Sequence, residues 1–258
     1  MLVEIVISIL INPVGMWNMN KLFEYIDKAN NIVFFTGAGV STPSGIGDFT
    51  GPNGLYKTNP EAEYMLSLEC LENEPEKFEK FMAELIAPMR EAEPNVIHKA
   101  INLLRLKGKN PQVITQNIDD LHERAGMWSH TIHLHGTISE WRCVDCNEIW
   151  LSTGTDIFQI CGECSGIIRP NITLYGEALD SYEFDRARDV WNEADLIVVC
   201  GTSLSVSPAN NLVLFNTNFK APVVYINNGP PAIKNTDFDH VIYGDLEYIF
   251  QKVMERYD

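Results

Sequence analysis

Short apolar runs rich in β-branched and aromatic residues recur at 31–36 (NIVFFT), 112–115 (QVIT), 131–136 (TIHLHG), 195–200 (DLIVVC), 222–227 (PVVYIN) and 240–244 (HVIYG). Runs this short and this uniformly apolar predict buried strands of a mostly parallel sheet. Between them the period changes. In PNVIHKAINLLRLKG (94–108) Val96, Ile97, Ala100, Ile101 and Leu104 fall at helical spacing, with Pro94 ahead of the start and Gly108 past the end. The closing DLEYIFQKVMERYD repeats that amphipathic pattern. Strands alternating with helices predict an α/β fold built on a doubly wound parallel sheet.

Each run is followed by a polar or glycine-rich motif: GAG, QNID, the end of HLHG, GTS, NNG and GD. Ligands of open α/β sheets bind outside the carboxyl ends of the strands, so these six motifs are expected to converge on one site. Two stretches break the rhythm. Residues 46–92 read as a loop followed by helices, and 137–175 hold grouped cysteines; together they are expected to form a smaller unit over the sheet edge.

A chain of 258 residues is long enough to bury a large core. Its net charge of −16 repels a phosphate backbone, which argues against nucleic acid, and it fits either Lys- or Arg-rich protein clients or solubility alone. The opening MLVEIVISILINPVGMW carries Glu4 and Pro13, lacks a basic n-region and is too short to span a bilayer. Met16 and Met19 are alternative start sites. With no other long apolar run the chain reads as cytoplasmic with no membrane partner, a compartment where thiols stay reduced.

Cys143-x2-Cys146 and Cys161-x2-Cys164, fourteen residues apart, match a four-thiolate zinc ribbon. Four thiolates leave no open coordination position, so this metal is expected to be structural. Cys200 ends an apolar run and reads as core. In FFTGAGVSTPSGIGDFTG (34–51), Gly37 and Gly39 fit a dinucleotide fingerprint whose third glycine would fall at Thr42. Alone, that motif fits either nucleotide binding or a tight strand-to-helix turn. Among the histidines, His98 reads as a packing or surface residue of its helix, His122 follows QNIDD and His130 precedes a strand. His133 and His135 point to the same side. His135 ends its strand beside Gly136, where an imidazole can face the crevice as a general base, although spacing alone leaves every histidine open to a structural role.

GAGVSTPSGIGDFTGPNGLY, TQNIDDLHERAG, HLHG, the paired CxxC motifs, LYGE and GTSLSVSP resemble, in order and spacing, the motifs of the sirtuins, NAD-dependent protein deacylases, over residues 20–255. The resemblance implies a Rossmann-type domain (20–45, 93–136 and 176–258), a cofactor loop and helical module (46–92) and a zinc ribbon (137–175), with 1–19 as an N-terminal extension. It implies NAD-dependent lysine deacetylation: the acyl oxygen attacks the nicotinamide ribose, nicotinamide leaves, and a histidine base, here His135, activates a ribose hydroxyl so that the acyl group passes onto ADP-ribose. By the same resemblance Asn117 and Asp119 orient the nicotinamide ribose and carboxamide, with Gln116 and Ile118 beside them. Gly37, Ala38, Gly39 and Ser41 cradle the pyrophosphate, and Gly45, Asp48, Phe49 and Tyr56 belong to the cofactor loop. Gly201, Thr202 and Ser203 contact phosphate and ribose, while Asn227, Asn228, Asp245 and Leu246 serve the adenosine end. An extended acyl-lysine peptide would lie between Tyr175-Gly176-Glu177 and Val206-Ser207-Pro208.

The chain departs from the family pattern at three places. Gly47 replaces proline, which loosens the unfolded loop by about 1 kcal/mol or less. Thr50 replaces arginine, removing a charge-assisted contact of roughly 1.5–3 kcal/mol. Tyr175 replaces phenylalanine and adds a hydroxyl that needs a partner. Positions that favour acidic acyl groups in the family fall at Glu79 and Met82, so uncharged acyl groups are expected. The alternatives are an ADP-ribosyltransferase or NAD hydrolase, and, because of Thr50, a weakly active module that binds NAD and acyl-peptide.

Overall fold

The computed structural model describes residues 16–49, 51, 54–152, 159–234 and 236–258; Thr50 and the first fifteen residues of the expected extension lie outside them. In chain order the strands are β1 (Asn31–Thr36), β2 (Asn110–Thr115), β3 (Thr131–His133), β4 (Gly136–Cys143), β5 (Ile149–Leu151), β6 (Gln159–Ile160), β7 (Ile167–Ile172), β8 (Leu196–Cys200), β9 (Val223–Asn227) and β10 (His240–Tyr243). Six of them form a parallel sheet ordered β10-β9-β8-β1-β2-β3. Every run identified by its hydrophobic pattern is a strand of this sheet.

Burial follows the period of two. Ile32 and Phe34 of β1 enter one core with the helices Met16–Lys28, Val96–Leu106 and Leu246–Tyr257. Val33 and Phe35 enter a second core with the helix Ser181–Glu193, where the Phe35 ring meets Trp191 edge-on at 6.0 Å. Helices on both faces bury the central strands twice over, which is why β8 is apolar and buried along its whole length. The helix Met16–Lys28 takes in residues 16–19 of the expected extension, and Met19 packs in the first core.

Two details were not in the hydrophobic pattern. Asn95, not Pro94, caps Val96–Leu106: its side chain accepts the Ile97 N–H at 2.8 Å, and the Asn95 N–H reaches His98 Nδ1 at 3.3 Å. His98 is therefore a buried capping residue and does not face solvent.

The remaining strands form an antiparallel sheet ordered β5-β4-β7-β6. Its root shares a core with the helix Pro75–Glu91 and the short helices before it, Ile138, Ile172 and Leu174 packing with Phe78, Met82 and Ile86. The β4–β7 pairing begins at Gly136–Ile172, directly after His135. A Cβ on Gly136, whose φ is +74°, would fall 2.0 Å from the Asn171 carbonyl oxygen, so glycine alone permits this junction. No helix among the described residues is long and apolar enough to cross a membrane.

Candidate active site

The strand order reverses at β1, whose neighbours are β2 on one side and β8 on the other. Such a switch point opens a crevice between the two carboxyl ends. Here the loops interlock: the Gly39 N–H donates to the Gly201 carbonyl at 2.8 Å, and a Cβ on Gly39 would lie 2.8 Å from the Gly201 Cα. A Cβ on Gly37 would lie 2.7 Å from that of Thr202. These glycines therefore serve loop-to-loop packing as well as any ligand. Thr202 is fixed from several sides, its Oγ1 accepting from Gln116 Nε2 at 3.0 Å and its carbonyl from Asn227 Nδ2 and the Tyr225 hydroxyl.

Above these loops lies a cavity of about 620 Å³ bounded by the sheet tips, the cofactor loop and the root of the ribbon. Its walls include Gly37, Ala38 and Gly39 after β1, Gln116, Asn117 and Ile118 after β2, and Gly201, Thr202 and Ser203 after β8. Asn227, Asn228 and Leu246 close one end; Asp48, Phe49 and Tyr56 cover another; Tyr175, Gly176, Glu177, Val206, Ser207 and Pro208 flank the opening.

Four expected residues do not line it. Ser41 is buried beneath, donating to Asp119 Oδ2 at 2.8 Å and accepting from Asn117 Nδ2 at 3.0 Å. Asp119 is also buried; burial raises its pKa against the hydrogen bonds from Ser41 and the Leu121 N–H. It reaches the cavity only through Ser41 and Asn117, whose Nδ2 also donates to the Gly37 carbonyl at 3.1 Å. Gly45 is a turn residue at φ +88°, and Asp245 caps the last helix by accepting the Tyr248 N–H.

Of the substrate-side expectations, one is met and two change. The Tyr175 hydroxyl finds its partner in Tyr56, the rings 6.1 Å apart, and Phe49 extends the cluster. The Glu177 carboxylate turns away into the ribbon, where Arg142 and Arg169 hold it. Met82 is buried in the helical core and Glu79 is exposed on the outer face, so neither reaches the cavity; the wall residue from that helix is Leu85, one turn along. Leu66 and Leu179 join it, apolar residues with no sequence signal to separate them from core. An added Cβ at Gly47 meets nothing within 4 Å, so sterics do not demand glycine there.

The structure separates the histidines. His135 is the one that lines the cavity among the described residues. Its Nδ1 lies 2.8 Å from the Gln116 carbonyl, which can only accept, so Nδ1 carries the proton and Nε2 keeps its lone pair. Burial lowers its pKa below 6.5, against that hydrogen bond. His133 meets acceptors at both nitrogens, Glu123 Oε1 at 2.7 Å and the Asn117 carbonyl at 3.2 Å, and is a structural imidazolium. Burial opposes that charge, but the Glu123 carboxylate outweighs it and the His133 pKa is raised.

His98 and His122 meet edge to face at 4.7 Å, both buried and neither in the cavity wall. Burial lowers His98 to about 3 and His122 well below 6.5. Both stay neutral in the folded chain while their unfolded counterparts protonate near 6.5. Stability is therefore lost as pH falls below 6.5, by about 3 kcal/mol for the pair between pH 6.5 and 5. The His133 contribution runs the other way but is already complete below 6.5. In urea unfolding, His98→Gln, which preserves the cap, is expected to remove about half of this loss; an unchanged pH dependence would refute the assignment.

At the ribbon tip the Cys143, Cys146, Cys161 and Cys164 sulfurs all lie within 4.8 Å of one another. The spacings of 3.4 Å for Cys143–Cys164 and 3.8 Å for Cys146–Cys161 lie just below and at the edge of a tetrahedron with 2.3 Å zinc–sulfur bonds, about 3.8 Å. Each knuckle closes on a left-handed residue, Asn147 at φ 60° and Ser165 at φ 65°. The donor set fits structural zinc.

A family model described as "Sir2 family" matches residues 37–208. An NAD-dependent protein deacetylase of Listeria monocytogenes is 43% identical over 210 residues, 81% of this chain and 90% of the relative. One of Thermotoga maritima is 38% identical over 232 residues, 86% of this chain and 90% of its own. Among solved structures, a mutant Sir2 homologue in complex with ADP-ribose superposes with a TM-score of 0.85 at 32% identity, covering 92% of this chain and 95% of its own. A Sir2–p53 peptide–NAD+ complex gives 0.79 at 34% identity, covering 92% and 98%.

Proposed function

The chain belongs to the Sir2 family, and from that premise we propose that His135 is the base with which it deacetylates protein lysines at the expense of NAD. It is an NAD-dependent protein deacetylase with a Rossmann-type sheet and a zinc-binding site. The observation that carries the assignment of the base is the hydrogen bond from His135 Nδ1 to the Gln116 carbonyl, which leaves Nε2 as the acceptor of a side chain that lines the cavity. NAD, when bound, supplies the leaving nicotinamide and the ribose that receives the acetyl group. His135 Nε2 takes the proton of a sugar hydroxyl, and burial keeps it unprotonated near neutral pH.

Gly37, Ala38, Gly39, Gly201, Thr202 and Ser203 would hold the phosphates, and Asn227, Asn228 and Leu246 the adenosine end. The fit rests on a cavity at the switch point floored by main chain and hydroxyls. Asn117 orients the nicotinamide side, held by Ser41 and Asp119 beneath it. Asp48, Phe49 and Tyr56 exclude water from above. The acyl-lysine peptide lies extended between 175–177 and 206–208. Leu66, Leu85 and Ile118 in the walls support uncharged acyl groups, and the net charge of −16 supports basic peptides over nucleic acid. A reducing, cytoplasmic setting suits the four thiolates.

The test follows nicotinamide release with and without an acetyl-lysine peptide. Release is expected only with peptide, one nicotinamide per acetyl group removed, and at less than a tenth of the rate with succinyl-lysine. Equal release without peptide would make the protein an NAD hydrolase; binding of NAD and peptide without turnover would make it a binding module.

A further inference from the structure

The segment that flanks the peptide opening is tied to the ribbon by a buried charge cluster. Arg169 of β7 is 1% exposed; its Nη1 donates to the Ile172 carbonyl at 2.8 Å and its Nη2 to Glu177 Oε1. Arg142 of β4 donates from Nη2 to the same oxygen at 2.5 Å. The other oxygen, Glu177 Oε2, accepts the Leu174 N–H at 2.8 Å. One carboxylate thus joins both central strands of the ribbon to the main chain of 174–177.

What it holds is the cavity wall. The Tyr175 N–H donates to the Leu66 carbonyl at 2.8 Å and the Leu68 N–H to the Tyr175 carbonyl at 3.0 Å, so this segment already pairs with the helical module. Gly176 follows at φ +94°, a conformation that other residues rarely adopt, and the Glu177 N–H closes the turn on the Leu174 carbonyl at 2.9 Å. Just upstream, the Thr173 N–H donates to the His135 carbonyl at 2.8 Å. Among the described residues, the side-chain hydrogen bonds of Arg142, Arg169 and Glu177 run only to one another and to the main chain of 170–174, so the cluster acts on the peptide flank.

We propose that Glu177 is a positioning residue, its carboxylate clamped by Arg142 and Arg169 so that the ribbon sets the place of Tyr175-Gly176 against the acyl-lysine peptide. This rests on the peptide lying along 175–177. Removing the charge leaves a buried guanidinium without its counter-charge, and the wall relaxes away from the peptide while the phosphate loops stay put. A residue that only stabilised the fold would weaken both ligands and turnover together.

The experiment compares Glu177→Gln with the parent chain by anisotropy of a labelled acetyl-lysine peptide, calorimetry of NAD, and steady-state kinetics. Expected are a rise of about tenfold in peptide Kd and KM, kcat within threefold, and NAD affinity within twofold. Arg142→Ala, at a half-exposed residue, is the second variant should Glu177→Gln fail to fold, with an expected rise of about threefold. The double variant should be no worse than Glu177→Gln alone, because both act through one carboxylate. Unchanged peptide affinity in these variants, or equal losses in NAD binding, peptide binding and kcat, would overturn the proposal. A parent chain that binds peptide and NAD yet releases no nicotinamide would remove the deacetylase reading while leaving the anisotropy comparison decisive.

Discussion

Deacetylation of an acetyl-lysine peptide by His135→Ala is expected to fall by about a thousandfold, within the range that a positioned general base contributes. No other histidine among the described residues lines the cavity. His133 has both nitrogens committed to Glu123 and the Asn117 carbonyl, and His98 and His122 are fully buried. NAD affinity, measured by calorimetry, should change only a fewfold, since the residues proposed to hold phosphate and adenosine lie on other loops. The parent enzyme carries a matching signature in its pH profile. His135, as the proposed base, works unprotonated, and burial lowers its pKa, so the acid limb of kcat/KM should fall below pH 6.5. Activity of the variant within tenfold of the parent would refute the role.

Removing zinc should be nearly as damaging, by a different route. Four thiolates closing on one ion contribute of the order of 10 kcal/mol to folding in small zinc modules, comparable to the whole stability of a domain. The short strands β5 and β6 have exposed apolar residues, Ile149, Leu151 and Ile160, and little core of their own to replace that contribution. Chelation, or Cys143→Ser, is expected to melt the ribbon while the six-stranded sheet persists. Peptide-dependent turnover should drop at least a hundredfold, because β4 and β7 lead directly from His135 and into Tyr175. Metal analysis should give one zinc per chain, and readdition to the chelated protein should restore activity. A zinc-free chain with full activity and an unchanged melting profile would show that the ribbon stands without the ion.

The linear sequence determined the strands of the main sheet, because burial on both faces makes each one a continuous apolar run, and it determined the metal site, because two-residue cysteine knuckles bring sulfurs together locally. It also named the part of the cavity wall at the strand tips, since the tips of adjacent parallel strands must converge, whereas the wall residues in 48–56, 175–177 and 206–208 were named by the family resemblance. Only the tertiary structure decided which histidine is free to act. His133 and His135 share one face and one spacing, yet Glu123 and the Asn117 carbonyl saturate the first while the Gln116 carbonyl engages a single nitrogen of the second. It likewise placed Asp119 and Ser41 beneath the cavity, turned Glu177 toward the two arginines, and put Leu85, not Met82, in the wall. The reason is range: periodicity fixes which side of an element is buried, whereas the partner waiting there comes from a segment tens of residues away and is set by how the elements pack.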